Sequence, residues 1–194
     1  LKLIFFLKVN KRPKILKPKS IILDKTLSDP QEWDNYWNKQ NTISNKIYYN
    51  IAYIYRVFFI KSRLNHFVNK NFDKKLNILH AGCGTGHVDS YIAEEYELTS
   101  IDISREAIVQ YNLRVPKAKS VKHMSIFKTD FENDSFDGIY NLGVMEHFAQ
   151  QDIINILIEM KRVLKKNGKI LLFWPHKYGS SVIFIKIIRH LYKI

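Results

Sequence analysis

The chain has 194 residues, 46% hydrophobic and 25% charged, which is enough for one full-sized domain with a core of its own. A single cysteine, Cys83, excludes disulfides within the chain and argues against a thiolate metal cluster, which fits a reducing, cytoplasmic setting. The formal charge of +13 is spread over lysines along the whole length, so compositional bias is its first explanation, with a nucleic acid or anionic membrane surface as the alternative.

Residues 1–30 hold Pro13, Pro18 and Pro30 among lysines and read as a basic N-terminal arm, with a short strand at 3–7 as an option. Asp29 can cap, and Pro30 can open, a helix carrying Trp33, Tyr36 and Trp37. A second aromatic-rich helical stretch covers about 46–68. Residues 31–70 are therefore expected to be N-terminal helices, and 71–194 the main domain. The apolar runs at 3–7, 51–60 and 181–194 are too short or too charged to span a bilayer, and no signal-peptide cleavage pattern follows the first. A leucine start and an apolar, helix-like end read as the marks of a fragment.

From residue 76 a strand–helix alternation sets in. "LNILHA" (76–81) predicts a strand, 86–96 a helix, and "LTSID" (98–102) a strand. Ser104 then caps a helix through Tyr111. "VKHM" (121–124) and "FDGIYNL" (136–142) follow as strands, then a helix over 150–164 and the strand "KILLFWP" (169–175). Strands alternating with helices of ten to fifteen residues imply an α/β fold, a mostly parallel sheet covered on both faces.

"AGCGTG" places Gly82, Gly84 and Gly86 between a buried strand and a helix, where the backbone must turn sharply and a ligand must approach without a Cβ in its way. Asp102 closes the next strand, twenty residues after Gly82. In a doubly wound sheet that position faces the crevice beside the turn, where a carboxylate can accept both hydroxyls of a ribose. The spacing is GxGxG rather than GxGxxG, with His87 and Val88 next, which favours a nucleoside over a dinucleotide.

Those residues also carry a family resemblance. "ILHAGCGTGHVDSYIAEE" resembles the first motif of class I S-adenosylmethionine-dependent methyltransferases, and "LTSIDIS" the second. "DSFDGIYNLGVMEHF" resembles the fourth-strand motif, and "EMKRVLKKNGKILLFWP" the helix, turn and strand beyond it. The resemblance covers about 76–175 and implies a Rossmann-like, doubly wound sheet lacking the family's last two strands. It implies that Gly82, Cys83, Gly84 and Gly86 border the methionine part of S-adenosyl-L-methionine. Asp102 would bind its ribose and Ile103 would pack on its adenine. Asn141, Leu142 and Gly143 would face the amino-acid group. Ser125 and Ile126 stand where many relatives have an aspartate for the adenine amine, and Asp130 substitutes only if the loop shifts by several residues. Glu146 and His147 would line the loop beside the methyl group, with His147 the candidate base.

The cofactor brings the activated methyl, so the protein's task is to bind and align. His80 is expected in the core, Cys83 as a space-filler, and His176 and Lys177 in a solvated loop. The seven histidines are spread out, with no metal-ligand spacing. Trp33, Tyr36, Trp37 and Tyr48 are candidates for a lid, or simply for packing on the sheet. "NLGV" after the fourth strand lacks the Pro-Pro pattern of nucleic-acid amino-methylases, which favours a small-molecule or lipid-like acceptor. The alternatives are an RNA- or membrane-associated methyltransferase, and an inactive cofactor-binding domain. A shortened sheet would leave an open edge for a partner.

Overall fold

The computed structural model describes residues 2–8, 29–38, 54 and 56–174. Residues 9–28, Tyr48, and everything after Trp174, with His176, Lys177 and the apolar end, lie outside them. The described chain runs β1 (Lys2–Lys8), α1 (Pro30–Asn38), a π-helical turn (Arg56–Ile60) leading into α2 (Lys61–Asn71), β2 (Asn77–Ala81), α3 (Ser90–Glu95), β3 (Glu97–Asp102), α4 (Arg105–Arg114), β4 (Ser120–His123), β5 (Phe136–Leu142), α5 (Gln150–Val163) and β6 (Leu164–Trp174).

The strands form one six-stranded sheet in the order β1-β6-β5-β2-β3-β4. All neighbours are parallel except β1, which runs antiparallel along β6 from Lys2 opposite Trp174 to Lys8 opposite Lys169. The sheet starts at β2, grows outward through β3 and β4, then returns to β5 and β6 on the other side. The direction reverses between β2 and β5, and in such sheets the crevice at the carboxyl ends of those two strands is where ligands sit.

Alternation along the strands divides the core between two faces. Ile78, Leu98, Tyr140, Leu171 and Phe173 pack with α2, α3 and α4 through Leu64, Val68, Ile92 and Tyr111. Leu79, Ile101, Ile139, Ile170 and Leu172 pack on the opposite face with Ile156, Met160 and Val163 of α5. Each such aliphatic side chain taken from water contributes about 1.5–3 kcal/mol. The strands β2 and β3 are therefore buried along nearly their whole length, as in a sheet covered on both faces.

The strand offered as an option at 3–7 forms, and three boundaries move. The basic arm begins as β1, which fills the edge of β6 that a sheet without its last strands would leave open. The helix expected over 86–96 starts at Ser90, because Gly84 and Gly86 both hold positive φ (52° and 75°), which prolongs the turn. The helix after Ser104 runs three residues past Tyr111, to Arg114, and the last strand begins at Leu164 rather than 169.

Under the glycine turn lies a wholly buried carboxylate, Asp89. His80 Nδ1 on β2 sits 2.6 Å from its Oδ2, Tyr111 of α4 donates to the same oxygen at 2.9 Å, and Tyr140 of β5 donates to Oδ1 at 2.9 Å. An ionised carboxylate can only accept, so the imidazole proton belongs on Nδ1. With its own proton committed to Asp89, Tyr111 accepts from Ser100 of β3 at 2.7 Å. Burial, and then the charge of Asp89, push both phenols far above the usual tyrosine range, so both stay donors. Asp89→Ala strips three buried donors of their acceptor, and should lower the unfolding free energy by about 3–5 kcal/mol. Tyr140→Phe, which removes one bond, should cost about 1 kcal/mol, and urea unfolding of both variants checks the ranking.

Candidate active site

The crevice is built from four turns at the carboxyl edge of the sheet. After β2 the chain passes Gly82, Gly84 and Gly86, all with positive φ. Two of these glycines make room for protein rather than for a ligand. A Cβ on Gly82 would come within 2.7 Å of Val144, and one on Gly86 within 2.8 Å of Tyr111 and Val115. Gly84 is different: its added Cβ would meet only the indole of Trp37, at 3.1 Å. Cys83 is buried beside it, and desolvation raises its thiol well above the usual value, with Asp102 and Asp89 adding to the effect. A thiol held protonated is a filler rather than a nucleophile.

Asp102 ends β3 almost fully buried, accepting from the amide of Gly84 at 2.7 Å and from that of Ser104 at 2.9 Å. Desolvation raises its pKa, and those two amide donations oppose the rise. Ser104 caps α4 by accepting from the Ala107 amide at 3.1 Å. Its hydroxyl in turn donates to Asp34 of α1, and Asp34 also accepts from the Glu106 amide at 3.3 Å. A carboxylate from α1 thus sits at the N-terminus of α4, where the helix dipole favours it.

After β5, Gly143 (φ 70°) turns the chain into a single 3₁₀ turn, Met145–His147. Asn141, wholly buried, donates to the carbonyl of Ala81, while its Oδ1 has no hydrogen-bond partner. Glu146 Oε2 is likewise buried without one. Its Oε1 lies against Gly143, and desolvation raises the carboxyl pKa to about 7. Burial also lowers the pKa of His147, whose ring meets the edge of Trp33 with centroids 5.1 Å apart. Trp33, Tyr36 and Trp37 form one edge-to-face series along α1. That helix therefore lies across the crevice, with Trp37 over the glycine turn and Trp33 over the β5 loop.

The remaining residues named from sequence fall at the margins. Ile103 is half-buried, its carbonyl held by His123 Nε2 at 2.8 Å. The Ser125 hydroxyl accepts from the Phe127 amide within its own turn at 3.2 Å, and Ile126 packs with Leu79 and Ile101 in the α5-side core. Asp130 is exposed and 3.5 Å from Lys122, so the loop has not shifted to bring it inward.

Residues 79–172 match the Methyltransf_11 family, described as a methyltransferase domain. That stretch, just under half of the chain, is similar to a methyltransferase domain. The fold is shared with an S-adenosyl-L-methionine-dependent methyltransferase structure from Methanococcus maripaludis (TM-score 0.58, 14% identity, 83% of this chain and 70% of that one). It is also shared with a TehB-like methyltransferase from Corynebacterium glutamicum (TM-score 0.55, 20% identity, 82% and 84%). In sequence, the chain is 26% identical over 108 residues to the cyclopropane-fatty-acyl-phospholipid synthase of Escherichia coli K12. That match covers 55% of this chain and 27% of the relative, so the chain spans only about a quarter of that relative's length.

The buried network was not legible beforehand. His80 pairs with Asp89, and nothing in the spacing of "HAGCGTGHVD" singles out that aspartate. Asp34 was equally hidden, since its partners lie seventy residues on. Glu146 gives a prediction. It titrates near pH 7 when folded and near 4.5 when unfolded. Between those values the folded state holds a proton that the unfolded chain has released, so stability falls as pH rises through the window. Glu146→Gln should therefore be more stable than the parent above pH 7, by up to about 3 kcal/mol. The advantage should fade towards pH 4.5. Urea unfolding at pH 5 and pH 8 reads this directly, and an unchanged difference would remove the buried-carboxylate account.

Proposed function

We propose that this domain transfers the methyl group of S-adenosyl-L-methionine to a small-molecule or lipid-like acceptor held under α1. The observation that carries the reading is the joint placement of the glycine turn, Asp102, the Asn141–His147 loop and the aromatic face of α1 at one edge of the sheet. Residues 31–70 act in this reading as a lid, with 71–194 as the cofactor-binding body. When bound, the cofactor supplies a methyl already activated on a sulfonium.

The residues fit such a group. Asp102 has lone pairs left, beyond the two amides it accepts, for ribose hydroxyls. At Gly84 the backbone comes up against the Trp37 indole of α1 with no side chain between them. Asn141 Oδ1, orphaned in the structure, is an acceptor available to the amino-acid end, with the backbone of Leu142 and Gly143 beside it. Ile103 flanks the adenine side, and Ser125 with Ile126 takes the place of the aspartate common in relatives. His147, kept neutral by burial near neutral pH, has the free lone pair that a base needs. Asp34, Trp33 and Trp37 hold α1 in place, and so exclude water from the reacting atoms.

The printed name of the Escherichia coli relative supports the lipid-like half of this reading. A cytoplasmic location belongs to it too, supported by one cysteine with no partner in the chain for a disulfide. The charge of +13 favours a second reading, an acceptor presented on RNA or an anionic membrane, which would show as salt-dependent retention on polyanions or anionic vesicles.

Calorimetric titration with S-adenosylmethionine and S-adenosylhomocysteine tests the first reading. Micromolar binding is expected, weakened about a hundredfold in Asp102→Ala by loss of charge-assisted hydrogen bonds. A folded protein that gives no heat and no thermal shift with either ligand would overturn it.

A further inference from the structure

The chain carries +13, yet the groups identified at its crevice have the opposite sign. Asp34, Asp102 and Glu146 supply carboxylates from three different elements. Two of these have assigned tasks: Asp102 accepts from the amides of Gly84 and Ser104, and Asp34 holds Ser104 and Glu106. Glu146 has none, for its Oε2 is buried and accepts from nothing. A buried, unpaired carboxylate oxygen is costly, so its retention calls for a donor that arrives from outside.

The neighbouring side chains narrow the kind of donor. His147 follows Glu146 directly, and its ring faces the edge of Trp33 at 5.1 Å. Tyr36 lies 5.8 Å from Trp33 and 4.9 Å from Trp37, which continues the aromatic surface. Aromatic faces attract cations, repel anions and are indifferent to neutral hydroxyls. A carboxylate oxygen without a donor, on the same short turn as the contact between His147 and Trp33, is the recognition chemistry of an organic ammonium ion. A phosphate or carboxylate headgroup would instead meet repulsion from Glu146 and gain nothing from the rings.

We propose that the acceptor is an amine, bound as its ammonium ion by Glu146 against the rings of Trp33 and His147. This rests on the methyl-transfer reading above and specifies its substrate class. It also gives Glu146 a chemical task. An ammonium has no lone pair to attack with, and it would be repelled by a sulfonium. Proton transfer from the ammonium to the Glu146 carboxylate yields a neutral amine with a free lone pair and a neutral carboxylic acid, and removes both obstacles. For an amine acceptor, Glu146 is thus the binding and proton-accepting residue in place of His147, which forms part of the wall.

The test uses the full chain saturated with S-adenosylhomocysteine, titrated calorimetrically at pH 8 with three probes of one shape: hexylamine, hexanol and hexanoate. Hexylamine should bind at least about tenfold more tightly than either of the others. Glu146→Gln should weaken hexylamine about tenfold while affinity for S-adenosylhomocysteine stays within about threefold. Trp33→Leu, on the lid helix, should also weaken hexylamine while Glu146 itself is kept, and guards against a Glu146 variant that fails to fold. Equal or tighter binding of hexanol or hexanoate overturns the proposal. So does no hexylamine binding to the loaded protein, or unchanged affinity in both variants. Failure of S-adenosylhomocysteine itself to bind is a separate result, and it sinks the underlying reading along with this one.

Discussion

The crevice depends on one buried carboxylate. Asp89 sits just before α3 with no exposed surface, and it collects bonds from β2, α4 and β5 through His80, Tyr111 and Tyr140. β2 and β5 are also joined by their backbone ladder, whereas α4 rests on them through apolar packing, which is tolerant of small slides. Hydrogen bonds to a single charge are not, because each partner must point at the same two oxygens. His80 also stacks on Tyr140, with ring centroids 4.1 Å apart, so a polar node and an aromatic contact fix the same pair of strands. These are β2 and β5, the two between which the sheet reverses direction. The node therefore ties α4 to the very strands whose carboxyl ends make the site.

The glycine turn shows how that tie is used. Gly82 lets the β5 loop approach, since Val144 fills the place of its Cβ, and Gly86 lets α4 approach in the same way through Tyr111 and Val115. The turn is tight because its neighbours are close, and they are close because of the node beneath it. Only Gly84, with its amide on Asp102, faces outward to the lid. A motif of three glycines is thus two packing positions and one approach position, a distinction that spacing alone does not carry.

Much of the architecture was legible in the sequence because local signals agreed with the global pattern. Apolar runs bounded by turns marked β2, β3 and β5 within a residue, and Ser104 announced α4 by the side-chain cap that the structure shows. What escaped was non-local. Strand β1 has a partner more than 160 residues away, and nothing in "LIFFL" says where an edge is open. Asp34 reads as an ordinary helix-surface residue until the N-terminus of α4 is placed next to it. At the site, Asp102 and the glycines follow from spacing. The unpartnered state of Glu146 does not, since only a folded structure says which carboxylates lack donors.

The distribution of charge then joins these elements into one design. A chain of net +13 has no general shortage of cations, so a carboxylate oxygen left without a donor beside the crevice is not an accident of composition. Asp89 is neutralised by three donors from its own fold, and Asp34 and Asp102 by helix and turn amides. Each of those carboxylates accepts hydrogen bonds from the fold itself. Glu146, on the short turn after β5, is the one among these four whose buried oxygen is left over. The same desolvation that raises its pKa to about 7 makes it a stronger base than an exposed glutamate and a better partner for an incoming cation. Instability stored at that position is what a site gives up in advance so that binding can recover it.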